Sequence, residues 1–314
     1  MNHGQLSKTV FFIALILAAS GVLSPALALL CGLACGIFQL HPYAQDTRTL
    51  SRHLLQASVV ALGFGMNLHQ VLAAGRSGLV YTALSITLTL ALGLLLGWLL
   101  RIRQRVSFLV SVGTAICGGS AIAAVAPILA ATQEEIAISL GAIFLLNSIA
   151  LLVFPPIGAA LHLSQTQFGL WAALAIHDTS SVVGAAAKYG APALALATTV
   201  KLARALWIVP VSVGVAAMRK SPGGIRSRIQ LPWFILFFLV AAAANTFLPI
   251  GHPVYDLCRR LGLTGLTVTL FLIGASLSVK ILRAVGLRPL LQGILLWIAV
   301  ATGSLLMIRA NWIQ

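Results

Sequence analysis

Eleven apolar runs separated by short polar connections constrain this chain more than any other feature. They fall at about 5–20, 23–40, 53–69, 77–100, 106–130, 136–157, 167–187, 192–217, 232–250, 262–280 and 289–310. A helix of about 20 apolar residues matches the hydrocarbon thickness of a bilayer. Only helices and closed barrels satisfy their main-chain polar groups there, and runs this long without strict alternation are helical. Composition agrees, because 60% of the residues are hydrophobic and only 8% are charged. A soluble domain carries roughly 25% charged residues and could not cover such a surface. The expected fold is all-α: a polytopic membrane protein of ten or eleven transmembrane helices in one integral domain over residues 1–314. The first run is the shortest and the weakest candidate for a full span. Lys8 followed by Val10–Ala19 also resembles the start of a signal peptide, but the apolar character continues to Leu40. A retained first helix is the simpler reading.

The net charge of +15 does not point to nucleic acid, because the cations lie scattered between the apolar runs. Alternate connections differ in their Lys and Arg content. Lys8, Arg48, Arg52, Arg101, Arg103, Arg105, Arg219, Lys220, Arg226, Arg228, Lys280, Arg283 and Arg288 fall on one side. The other side holds Arg76, Lys188, Arg259, Arg260 and Arg309, with the acids Glu134, Glu135 and Asp256. Basic loops stay in the cytoplasm. The N-terminus and the 218–231 loop are therefore expected inside, and the 131–135 turn outside.

Two internal likenesses suggest a repeat. Residues Gly63–Leu68 are similar to Ile273–Leu277, and Ile116–Ala126 to Ile176–Ala186. The first pair of helices runs in opposite directions and the second in the same direction, so one simple duplication does not account for both. The architecture expected is that of an inverted-repeat transporter with helices broken at the midplane.

Three sets of residues would carry the chemistry. Gly118, Gly119 and Ser120 sit mid-run, with Pro127 following, and adjacent glycines weaken a helix by about 1 kcal/mol each. A break there exposes amides and carbonyls that must face protein, water or solute. Close packing through small residues is the alternative. His177, Asp178, Thr179 and Ser180, with Ser181, form the second set. An ionisable pair inside a span is costly unless it is used or matched. Asp178 is suited to carry a proton or oppose a cation, and His177 to relay protons near neutral pH. Lys201 and Arg204 share a helix face with Trp207. Asp178 balances only one of these cations, so a bound anion would complete the charge. Snorkelling toward headgroups is the alternative for both. Asn147, Ser148 and Asn67 are lesser candidates, each open to a purely structural reading.

Other classes lack their signatures. There is no Walker A sequence, no His-Glu-x-x-His helix and no Gly-x-Ser-x-Gly elbow, so no enzymatic activity is expected. Cys31 and Cys35 share a helix face but no His or carboxylate neighbour completes a site, and thiols in helix packing are the simpler reading, so neither metal nor cofactor is expected.

The stretch from Gly113 through Cys117, Gly118, Gly119 and Ser120 to Pro127 resembles the most distinctive segment of the YeiH-like bacterial membrane proteins. His177-Asp178 followed by Val182-Val183-Gly184-Ala185 is similar to a second signature of that family. Val200-Lys201-Leu202-Ala203-Arg204 with Trp207 is similar to a third. The resemblance implies a bacterial inner-membrane protein related to transporters with crossed, broken helices, and it suggests sulfate export. The expected function is secondary transport of a small inorganic or organic anion, sulfate or a sulfonate, coupled to a proton or sodium. Two alternatives stand beside it: a cation–proton antiporter using Asp178, and a membrane enzyme or scaffold. The remaining expected partners are the lipid bilayer and, in a homodimer, a second copy of the chain.

Overall fold

The computed structural model describes residues 3–38, 40, 44–218, 233–248, 252–276, 285–310 and 312. Among them the chain is all α-helix. The helices are α1 His3–Ala19, α2 Pro25–Ile37, α3 Ala44–Gly63, α4 Leu68–Leu99, α5 Gln104–Ala115, α6 Gly119–Val125 and α7 Gln133–Ala160. They continue as α8 Gln165–Ala175, α9 Thr179–Tyr189, α10 Ala191–Ala205, α11 Ile208–Met218, α12 Trp233–Phe247, α13 His252–Ser276 and α14 Leu287–Arg309. The protein is a polytopic α-helical membrane protein. Five described helical stretches are long and apolar enough to cross a bilayer: Tyr81–Leu99, Glu134–Ala160, Ala191–Met218, Pro253–Ser276 and Leu287–Arg309. Four shorter apolar helices and the two broken pairs α5/α6 and α8/α9 account for the other apolar runs.

Helix ends differ from the apolar limits for a physical reason. Helices α3 and α13 begin about ten residues before the runs at 53 and 262, because helical hydrogen bonding continues into polar turns that hydropathy does not register. Among the described residues, the apolar part of α1 is Ser7–Ala19. Pro127 lies in the turn after α6, not inside a helix. The loop from residue 219 to 231, and Leu277 of the first internal likeness, are outside the described residues.

Two groups of helices make up the bundle. In one, α13 packs along α2 and α3, with α1 against α13 and α12 against α3. Gly274 allows this approach: a Cβ there would stand 2.8 Å from the Leu33 nitrogen. In the other group, α4, α7, α10 and α14 surround the two broken pairs α5/α6 and α8/α9. Helix α9 joins the groups at Gly184, where a Cβ would meet Leu151 of α7 at 2.7 Å and Leu270 of α13 at 3.1 Å. Small residues of this kind let membrane helices gain dispersion contacts that larger side chains would block. The outer surface carries large apolar side chains such as Leu88, Trp98, Phe237, Val240 and Ile298, while Lys201 and Arg204 are wholly buried. That inside-out distribution suits a lipid solvent.

Side-chain caps set two of the helix starts. Thr132 with Glu135 opens α7, and Ser164 with Gln167 opens α8, each as a reciprocal capping box. A third main-chain interruption, at Leu206-Trp207, divides α10 from α11. Pro210 accounts for it, because its ring cannot share space with the carbonyl of Leu206.

Candidate functional site at the crossing of two broken helices

The first break follows α5. Ile116 ends the helix with φ −117° and ψ −88°, and the Gly118 amide closes back on the Gly113 carbonyl at 2.9 Å. Gly118 then adopts φ +70° and ψ −123° before α6 begins. Residues with a Cβ rarely occupy that region, which explains glycine here. Gly119 starts α6 half-buried, and Ser120 is exposed beside it.

The second break follows α8. Ile176 and Asp178 are both extended, with ψ of 129° and 143°, and α9 starts at Thr179. Asp178 is the N-cap of α9. Its Oδ2 accepts the Ser180 amide at 3.0 Å, the Ser181 amide at 3.3 Å and the Ser180 hydroxyl. A carboxylate at a helix N-terminus satisfies free amides and complements the positive end of the helix dipole. The amides of His177 and Asp178 both donate to Asn147 Oδ1 of α7, at 3.1 and 3.2 Å. Asn147 thus supplies the acceptor that the interrupted helix lacks.

The breaks meet. A Cβ on Gly118 would stand 3.4 Å from the Asp178 Cβ and 3.3 Å from Ile143 of α7. The likeness of Ile116–Ala126 to Ile176–Ala186 therefore coincides with the two breaks in register, since Ile116 and Ile176 are the two C-caps.

Lys201 and Arg204 of α10 serve the free carbonyls on the other side of these breaks. Lys201 Nζ donates to the carbonyls of Ile176 at 2.7 Å and Ala173 at 3.3 Å. Arg204 Nε donates to the Ala115 carbonyl at 2.6 Å, Nη1 to Leu174 at 3.2 Å and Nη2 to the Ser85 hydroxyl at 3.4 Å. Ala115 closes α5 and Leu174 lies in the last turn of α8, so one guanidinium ties both half-helix ends to α10. Cations belong at such ends, where carbonyls lack helical partners and the dipole is negative. Both side chains are 0% exposed, so snorkelling does not describe them. No ion pair within 4 Å joins Asp178 to either cation. The carboxylate–cation contacts among the described residues are Arg105–Glu135 and Arg259–Asp256, both at 3.7 Å.

Comparison with known proteins places this arrangement in a family. A family model described as conserved hypothetical protein 698 matches residues 6–293. The chain is 49% identical over 318 residues to a UPF0324 membrane protein of Bdellovibrio bacteriovorus, covering 100% of this chain and 98% of the relative. It is 48% identical to a UPF0324 membrane protein of Bacteroides thetaiotaomicron, covering 96% and 92%. The chain belongs to the UPF0324 family of membrane proteins. The YeiH-like motifs agree with that membership. A UPF0324 relative from Porphyromonas gingivalis is 50% identical over 290 residues, covering 90% of this chain and 86% of the relative. No solved structure matches the chain.

In this UPF0324 chain the remaining sequence candidates separate clearly. Thr179, Ser180 and Ser181 form the buried first turn of α9. Ser148 bonds back to the Phe144 carbonyl at 2.8 Å, and Asn67 receives the His69 amide at 2.9 Å at the start of α4. Trp207 is half-buried at the α10/α11 interruption. Three features did not emerge from the sequence. Ser85 reaches Arg204 from α4. Gln292 of α14 donates through Nε2 to the Gly93 carbonyl at 2.8 Å and the Ser107 hydroxyl at 2.9 Å. Thr114, in the last turn of α5, is buried with no partner for its hydroxyl among the described residues. Asn147 Nδ2 and both ring nitrogens of His177 are likewise buried and unmatched.

Proposed function

We propose that this protein is a secondary transporter of a small anion, in the class of sulfate or a sulfonate, and that the crossing of α5/α6 with α8/α9 is its solute site. The observation that carries the reading is the meeting of two main-chain breaks at Gly118 and Asp178 inside the bundle. Irregular backbone at such depth is tolerated where it lines a binding site or is buried in protein, and discontinuous helices hold the solute in many transporters. Charge supports the sign of the solute. Each helix end at the crossing carries roughly half a charge, and the two C-terminal ends offset the two N-terminal ends. With Lys201, Arg204 and Asp178 ionised, a formal +1 remains. The solute crosses chemically unchanged, with a proton or sodium as the coupling ion. The proposed setting is a bacterial inner membrane with the N-terminus in the cytoplasm.

One observation favours a second reading, a cation–proton antiporter. Asp178 Oδ1 accepts no bond among the described residues, and Asp178 is 8% exposed while Lys201 and Arg204 are sealed. A cation would take that oxygen. Uptake into vesicles holding the purified protein separates the two readings. Accumulation of labelled sulfate or methanesulfonate down an imposed anion gradient supports the first. Accumulation of sodium against a proton gradient, with no oxyanion movement, replaces it with the second.

A further inference from the structure

Unmatched polar atoms in the interior fall mostly on the two broken pairs and on α7. Among the described residues, seven buried side-chain nitrogen and oxygen atoms have no partner, and four of them belong to Thr114, Asn147 and His177. Native interiors leave few such atoms, because each costs about 1–3 kcal/mol. The three side chains come from α5, from α7 and from the segment between α8 and α9. They are 0%, 3% and 1% exposed.

The identity of the Asn147 atoms follows from its bonds. Its side-chain oxygen accepts two amides, those of His177 and Asp178, so the unmatched atom is the nitrogen and therefore a donor. Thr114 can donate through its hydroxyl, and His177 through one ring nitrogen when neutral. Asn147, Thr114 and His177 thus each hold one donor with no acceptor among the described residues. Two successive main-chain amides that converge on one oxygen form a concave seat suited to an anion. Here a neutral carboxamide oxygen holds that seat. A negatively charged oxygen would bind the same amides about twice as strongly.

We propose that the His177 and Asp178 amides are an oxyanion seat, occupied in the resting protein by Asn147 Oδ1 and surrendered to the solute. The Asn147 carboxamide rotates as the oxyanion enters and presents its nitrogen. The Thr114 hydroxyl and the His177 ring supply further donors. Asn147 and Thr114 then join His177 as solute-binding residues, and the ligand is a small tetrahedral or planar oxyanion. This inference rests on the anion-transport reading of the crossing.

The test uses purified full-length protein in detergent, with its melting followed in sodium sulfate, in sodium methanesulfonate and in sodium chloride at matched ionic strength. Asn147→Asp keeps an oxygen for both amides and adds a resident negative charge. Thr114→Val keeps the shape and removes only the hydroxyl. The expected result is stabilisation of the wild type by an oxyanion. Asn147→Asp loses that response. Thr114→Val needs roughly tenfold more anion, the loss of one hydrogen bond to a charged group. Ligand-free melting of the threonine variant is unchanged or higher. If the wild type responds and both variants respond equally, the seat is elsewhere and this inference falls, while the transport reading stands. If Asn147→Asp fails to fold, Thr114→Val decides alone. No oxyanion response in the wild type overturns the anion reading and this inference with it.

Discussion

Arg204→Leu is the perturbation whose size the structure sets most directly. The guanidinium makes three hydrogen bonds, two of them to the carbonyls of Ala115 and Leu174 at the ends of α5 and α8. Leucine leaves both carbonyls buried without donors. Each such loss costs about 1–3 kcal/mol, or about 2–6 kcal/mol together. Loss of a cation between two negative helix ends adds up to ~2 kcal/mol. Release from burying a charged group offsets part of this. A net destabilisation of about 2–4 kcal/mol is expected. Arg204→Lys should recover part of it, since one ammonium keeps the charge but not the fork that spans two carbonyls. Asp178→Asn is the contrasting variant. Asparagine caps a helix about as well as aspartate, so its stability should fall by less than about 1 kcal/mol. Thermal and denaturant unfolding of the purified variants reads both values. Arg204→Leu unfolding like wild type, or no better tolerated Asp178→Asn, would refute the assignment of Arg204 to the helix ends.

Other outcomes follow from the same geometry. Gly118→Ala should destabilise by about 1–3 kcal/mol, because its φ of +70° excludes a Cβ. Gly214→Ala, where a Cβ would meet nothing within 4 Å inside α11, should stabilise by about 0.5–1 kcal/mol in the same unfolding assay. Gly97→Ala should destabilise by about 1–3 kcal/mol through overpacking, since its Cβ would collide with the Ser107 side chain, and Ser107→Ala in the same chain should restore part of the loss. In intact cells, a single cysteine at Gln133 should be labelled by an impermeant thiol reagent, and one at Ser221 only after permeabilisation. The reverse pattern would invert the orientation.

Much of this architecture is legible in the residues, and the limits have physical causes. Apolar runs report which surfaces meet lipid, so the helices are legible but their polar first turns in α3 and α13 are not. Gly118 and Gly119 announce the first break, because adjacent glycines weaken a helix and Gly118 takes a φ of +70° that residues with a Cβ rarely adopt. His177 and Asp178 announce the second, because lipid cannot satisfy them. Pro210 signals the α10/α11 interruption equally well, although an apolar run from 192 to 217 reads as one helix. The partners of Lys201 and Arg204 are a different matter. A charged side chain suggests a charged partner, and the nearest in sequence is Asp178. The partners used are main-chain carbonyls freed by the two breaks, and carbonyls leave no mark in a sequence. The dual bond of Asn147 is hidden for the same reason, since its donors are amides 30 and 31 residues away.

Ser120 offers the most direct measurement of the central claim, that solute passes at the crossing. It is exposed at the start of α6, next to the Gly118–Asp178 contact. Ser120→Cys, in a chain with its four native cysteines replaced, is reconstituted in vesicles, and sulfate or methanesulfonate uptake is followed before and after a charged thiol reagent. The account predicts uptake by the unmodified variant, its loss on modification, and slower modification when the transported anion is present. A fully modified protein that transports at an unchanged rate would contradict it.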